Sequence, residues 1–210
     1  MISANDKITL PVNGEGGEHQ GNRKNPDPIQ PQPMMVPLEH IHPYERNPRQ
    51  AINSEYDRIK ASIRATGLDQ PLTITQRPGV TNYIVHSGGN TRLRVLKSLY
   101  EETGEGRYAT VACLFKPWHC ESEVLLAHLR ENDLRGGLTF IDKACAILDI
   151  KALLETECQI EEISQRRLES ALQQGGYALS SGLVSRMGYA VQTLLPLIPQ
   201  NPRRAYRILP

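Results

Sequence analysis

No stretch of this sequence is apolar for long enough to cross a bilayer, and its first thirty residues have neither the basic start nor the apolar core of a secretion signal. A chain without either is expected in the cytoplasm. Its four cysteines, Cys113, Cys120, Cys145 and Cys158, include no Cys-x-x-Cys pair, which argues against disulfides and zinc knots. Cys113, His119 and Cys120 could offer three metal ligands, but no fourth stands at a standard spacing. Internal repeats and long heptad runs are missing too, so neither a solenoid nor a coiled coil is expected. Strong charge of either sign is also lacking. The formal net charge is +1, which by itself names no partner.

What is present is ordinary for a globular chain: 210 residues, 39% of them hydrophobic, are enough for one large domain or two small ones. The charge is unevenly spread. From Ile163 onward six arginines (Arg166, Arg167, Arg186, Arg203, Arg204 and Arg207) face the single acid Glu169, whereas the rest of the chain is slightly acidic. A separate basic module suits a phosphate-bearing partner.

Residues 1–33 are rich in Gly, Asn, Gln, Glu and Pro and poor in large apolar side chains, the composition of a disordered tail. Val36, Leu38 and Ile41 then open a domain spanning 34–135. Ser54 with Asp57 predicts a capped helix that carries Tyr56, Ile59 and Ile63 inward and stops at Gly67. Leu72 and Ile74, then Tyr83 and Val85 after a Pro78-Gly79 turn, alternate as strands do. Leu93, Leu96 and Leu99 or Tyr100 mark a second helix, a further strand covers about 109 to 115, and a helix runs from about Glu121 through Leu129. The strand pattern ends at Thr139. A helix capped by Asp142 and two shorter ones follow, so 136–198 reads as all helical and 199–210 as a short tail. The fold class is α+β followed by an all-α domain.

Two places carry chemistry. A strand ending in Ser87-Gly88-Gly89-Asn90-Thr91-Arg92 and opening into a helix lets an anion approach the glycine backbone and the free N–H groups of the first helical turn. Arg92 and Arg94 lie in that turn, where the helix dipole disfavours cations unless an anion compensates them. Between Glu162 and Leu197, Ile163, Leu168, Ala171 and Leu172 describe one helix, and Leu183, Val184, Met187, Val191 and Leu194 another. The turn between them holds Gly175-Gly176-Tyr177, and Ser180 or Ser181 is placed to cap the second helix. In a helix-turn-helix that second helix enters the major groove. Ser181, Gly182, Ser185 and Arg186 lie on its polar side, and Gln165, Arg166 and Arg167 start the first helix, where they suit phosphates. A plain helical hairpin would show the same apolar pattern. His86 and His128 read as hydrogen-bonded or surface histidines rather than bases, and Trp118 as packing beside Pro117.

Three segments occur in fixed order: Asn47-Pro48-Arg49 with Ser62-Ile63-Arg64-Ala65-Thr66-Gly67-Leu68-Asp69-Gln70-Pro71, then Gly88-Gly89-Asn90-Thr91-Arg92, then Glu131-Asn132-Asp133-Leu134-Arg135. Over residues 36 to about 198 this order resembles the ParB partition family, of the plasmid or conjugative-element type. The resemblance implies a ParB/sulfiredoxin-like domain binding CTP with Mg²⁺. Gly67, Gln70 and Pro71 would form one nucleotide box, Ser87 through Arg92 the phosphate box, and Glu131, Asn132 and Arg135 a third box, with Glu131 and Asn132 as oxygen ligands for the metal. It also implies double-stranded DNA as partner, a ParA-like ATPase as a second, self-association on DNA or nucleotide, and a nucleoid-associated location.

This chain has Gly89-Asn90-Thr91-Arg92 where the family usually has Gly-Glu-Arg-Arg, so one acid and one guanidinium are missing. CTP turnover is therefore expected to be weak at most. In sulfiredoxin-like enzymes a cysteine stands where this chain has Asn90, and an amide cannot act as a thiolate. No acidic cluster carries a nuclease signature. A transcriptional regulator or adaptor that has lost nucleotide switching stays open as the alternative. With only residues 201–210 to follow the last helix, no added dimerisation domain is expected, and the ligand-free chain should be monomeric or weakly associating.

Overall fold

The computed structural model describes residues 31–49 and 53–198, so most of the expected N-terminal tail and the whole of the tail at 199–210 lie outside the described residues. Two compact units divide the chain, one ending at Cys120 and the other starting at Glu121.

The first unit is built on a five-stranded sheet. Its strands are β1 (Gln32–Pro37), β2 (Ile41–His42), β3 (Leu72–Thr75), β4 (Tyr83–Val85) and β5 (Thr110–Phe115), in the order β1-β5-β3-β4-β2. β1 pairs antiparallel with β5, β5 parallel with β3, β3 antiparallel with β4, and β4 parallel with β2. The tail expected to reach residue 33 is thus cut short, because Gln32 and Pro33 already pair with Phe115 and Leu114. Along β5 the alternation is plain: Val111, Cys113 and Phe115 are buried, and Thr110 and Ala112 are exposed. Burial pushes the Cys113 thiol up to about 12, so it stays protonated near neutral pH.

Helices α1 (Tyr56–Thr66) and α2 (Asn90–Thr103) pack together on this sheet. The expected Ser54 cap is not the one used. Asn53 accepts the Glu55 backbone N–H at its side chain, 3.1 Å, and the Tyr56 N–H at its carbonyl, 3.0 Å, so the helix begins beyond both. Gly67 ends α1 with φ +83°, donating its N–H to the Ile63 carbonyl. Ile63 joins Val36, Leu38, Ile41, Leu72, Ile74, Val85, Leu93, Leu96, Leu99 and Phe115 in one core. Of the two residues expected at the end of the α2 face, Leu99 is buried and Tyr100 is exposed.

The second unit holds α3 (Glu121–Leu134), α4 (Phe140–Glu157), α5 (Gln165–Gln174) and α6 (Ser181–Tyr189), continued by a π-helical turn over Ala190–Leu194 and a 3₁₀ turn over Leu195–Leu197. The expected boundary at 135/136 therefore falls one helix late, since α3 packs against α4. One end of this packing is pinned. At the start of α3, Glu157 of α4 accepts the backbone N–H of Ser122 at 3.0 Å and its hydroxyl at 2.5 Å. At the start of α4, Thr139 and Asp142 form a reciprocal capping box, with Asp142 N–H to Thr139 Oγ1 at 3.1 Å and Thr139 N–H to Asp142 Oδ2 at 2.9 Å. Among the described residues, no helix is long and apolar enough to cross a membrane.

Candidate phosphate turn and nucleic-acid interface

β4 leads through His86 and Ser87 into the two glycines that start α2. Gly88 has φ +55° and Gly89 φ +95°, a region that side chains with a Cβ rarely enter. Gly89 is also packed closely: a Cβ there would lie 3.0 Å from Leu72 Cδ2 and 3.4 Å from Arg92 Nη2. The first two boxes meet at this point. Arg92 Nη1 donates to the Gln70 carbonyl at 2.9 Å, tying the first turn of α2 to the segment from Gly67 to Pro71. The cation that looks out of place at a helix start thus has a carbonyl partner within the fold, whereas Arg94 is exposed.

Asn90 turns inward. It is 8% exposed, and its Oδ1 accepts the backbone N–H of Tyr44 at 3.1 Å. Of the side chains expected to face phosphate, this one is engaged in holding the turn after β2. Thr91 is half-buried, with its hydroxyl 3.5 Å from Asn53 Nδ2. What the turn leaves for an anion is backbone N–H groups at the start of α2, the half-buried Ser87 and the guanidinium of Arg92.

The third box lies on α3 and just beyond it, in the second unit. Glu131 pairs with Arg135 one turn later, 2.5 Å between Oε1 and Nη2. Asn132 is 9% exposed and donates its amide to the His128 carbonyl at 2.8 Å. No three His, Cys, Asp or Glu side chains gather to hold a metal ion among the described residues. The expected Mg²⁺ donors are therefore one carboxylate and one amide oxygen, a set that suits this ion only when phosphate oxygens and water complete its shell. His86 and His128 are buried and engaged within the fold. Trp118 is half-buried, with the Arg77 guanidinium 5.7 Å from its ring centroid.

The two helices expected to form a helix-turn-helix are α5 and α6, each capped by the serine just before it. Ser164 Oγ accepts the Arg167 N–H at 3.4 Å and Ser180 Oγ the Leu183 N–H at 3.3 Å. Ser180, rather than Ser181, is thus the cap. Leu168, Ala171 and Leu172 on α5 and Val184 and Met187 on α6 are buried. Gln165, Arg166 and Arg167 are exposed on the first turn of α5, and Ser180, Gly182, Ser185 and Arg186 at the start and on the outer side of α6, with Ser181 half-buried.

Leu194, expected on the apolar face, is 45% exposed, while its neighbour Leu195 is 5% exposed. The π-helical turn adds a residue to the helical period there and moves the inward position on by one. Sequence reasoning also misses four residues that shape the unit. Glu169, in sequence only a lone acid, accepts the Ser181 backbone N–H at 2.9 Å and so fixes the start of α6. Arg130 and Asp133, both on α3, hold the turn between α5 and α6 through the Gly175 carbonyl and the hydroxyl of Tyr177, itself a residue of that turn.

An α+β sheet unit followed by a helical unit defines the class by architecture. No family model matches the sequence, and no curated protein matches it. Among solved structures, one of a pNOB8-like ParB N-domain is similar with a TM-score of 0.55 at 16% identity, covering 80% of this chain and 72% of that one. A second structure of a pNOB8-like ParB N-domain gives 0.55 at 16% identity, covering 86% and 70%. The C-terminally truncated ParB of Caulobacter crescentus, in complex with CTP-gamma-S, is 19% identical over 83% of each chain with a TM-score of 0.40, too loose a likeness to bear on the fold. The fold of this chain is that of the ParB N-domains.

Proposed function

We propose that this chain is a sequence-specific binder of double-stranded DNA, responsive to CTP, that serves in partition or maintenance of a plasmid or integrating conjugative element. The observation that carries the reading is the exposed polar side of α6, with Ser180, Gly182, Ser185 and Arg186 outward beside the arginines of α5. Small residues at the start of a recognition helix admit it to the major groove, and arginines on the preceding helix suit the phosphate backbone. Selecting bound fragments from a DNA library and sequencing them tests it. A shared sequence among bound fragments is expected, and uniform recovery would exclude sequence-specific recognition.

The fold of ParB N-domains and the order of the three boxes support CTP as the nucleotide. The phosphates are assigned to the Gly88-Gly89 turn with Ser87 and Arg92, and Gly67, Gln70 and Pro71 flank it. Glu131 and Asn132 are the donors assigned to Mg²⁺, and Arg135 is assigned to the nucleotide. The ion, when bound, neutralises phosphate charge. Double-stranded DNA, a ParA-like ATPase and further copies of the chain on DNA are the partners that follow from this reading, with a nucleoid-associated location.

Calorimetry with the four nucleoside triphosphates is expected to show a preference for CTP that weakens without Mg²⁺ and is lost in Arg92→Ala, with thermal unfolding as control because Arg92 also holds Gln70. Phosphate release should stay near background. Asn90 and Thr91 supply no charge at this turn, and hydrolysis needs donors aimed at the charge that develops in the transition state. A second reading, a DNA-binding regulator or adaptor without nucleotide switching, is favoured by the inward turn of Asn90. Absence of triphosphate binding at millimolar concentration selects it.

A further inference from the structure

The turn between α5 and α6 is held by side chains outside it. Arg130, near the end of α3, donates from Nη1 to the Gly175 carbonyl at 2.5 Å. The next residue, Gly176, has φ +78°, and a Cβ there would come within 2.8 Å of that same nitrogen. Tyr177, the third in line, donates its hydroxyl to Asp133 Oδ2 at 2.8 Å. Asp133 is paired through its other oxygen with Lys143 of α4, also at 2.5 Å. Burial raises the Asp133 carboxyl, but hydrogen bonds from Lys143 and Tyr177 outweigh it and hold the group below its ordinary range, so it is ionised at neutral pH. Glu169 fixes the far end of the turn at Ser181.

Joining two short helices requires no such arrangement, since a glycine turn and a serine cap suffice. What a charged clamp adds is direction: Arg130 and Asp133 lie on one helix, and each holds a different residue of the same turn. Reading base edges demands placement to within about 0.5 Å, which a free surface turn does not give. We propose that Arg130 and Asp133 are positioning residues for sequence recognition, setting the direction in which α6 leaves the turn. The polar side of α6 then meets base edges in a single register. This inference rests on the DNA-binding reading above and deepens it.

The test uses the full chain, the fragment recovered by selection and a random duplex of equal length. Tyr177→Phe removes one hydroxyl and keeps the ring, and Asp133→Asn keeps the shape and removes the charge. Both are expected to lower the ratio of specific to random affinity by about fivefold or more, the scale of one disturbed base pair. The slope of log affinity against log salt should stay unchanged, because the phosphate contacts are intact. Ile147→Val, a core change in α4, serves as the stability control and should leave the ratio as it is.

If the unaltered chain selects no sequence, the DNA reading falls and this inference with it. If the chain selects and both variants, folded at the assay temperature, keep the ratio, only the positioning role is overturned. An equal loss in Ile147→Val overturns it too, as does unfolding of both clamp variants, because the clamp would then be a requirement of the fold.

Discussion

Alanine at both Arg166 and Arg167 is expected to weaken binding to every duplex alike and to flatten the dependence of log affinity on log salt by about 0.9 for each phosphate that is no longer neutralised. Both arginines are exposed in the first turn of α5, near the positive end of its dipole. Two cations there are mildly unfavourable until an anion arrives, and a DNA phosphate reverses the sign. Arg186 stands differently. It is exposed on α6, four residues after Gly182, so its replacement by alanine should reduce discrimination by about 1–3 kcal/mol with a smaller change in salt slope. Titrating a selected and a random duplex over a range of salt concentrations separates the two effects. Unchanged binding after all three replacements would remove the DNA-binding reading.

Gly89→Ala should destabilise the chain by about 1–3 kcal/mol. The residue combines φ +95° with a Cβ position 3.0 Å from Leu72 Cδ2, and Leu72 is fully buried in the core. Strain and crowding thus act together at one methyl group. Urea unfolding monitored by circular dichroism measures the loss, and a change below about 0.5 kcal/mol, the scale of an ordinary surface substitution, would mean that the turn relaxes around the methyl group. The result bears on the phosphate reading, because a glycine held here by packing gives no vote of its own for a ligand.

Much of the fold can be read from periodicity. The spacing of Leu93, Leu96 and Leu99 and the alternation along β5 are local patterns, and the burial follows them, whereas on β3 the alternation breaks at Thr75, which is buried next to Ile74. The misses have a common cause. Asn90 reads as a phosphate-turn residue until its partner is known, and that partner, Tyr44, lies 46 residues earlier. Arg130 and Asp133 meet Gly175 and Tyr177 across 45 and 44 residues, a distance at which no pattern of spacing survives. The exchange of Leu195 for Leu194 comes from one π-helical turn, invisible to a count that assumes a constant period. The domain boundary reads late in the sequence because α3 follows β5 after only a short link, with no Gly- or Ser-rich run to mark the change.

The hold that α3 keeps on residues 175–177 limits how portable α5 and α6 are. A fragment starting at residue 136, where the strand pattern suggests a cut, would leave behind Arg130, Asp133 and the Ser122 anchor of Glu157. Its Gly175 carbonyl and Tyr177 hydroxyl would be without their partners, and Lys143 without its carboxylate. Grafted onto another protein, such a piece should bind DNA through its arginines and read sequence poorly, whereas one starting at residue 121 carries its own scaffold. On the DNA-binding reading, moving target specificity from this chain to another scaffold therefore calls for four helices, not two.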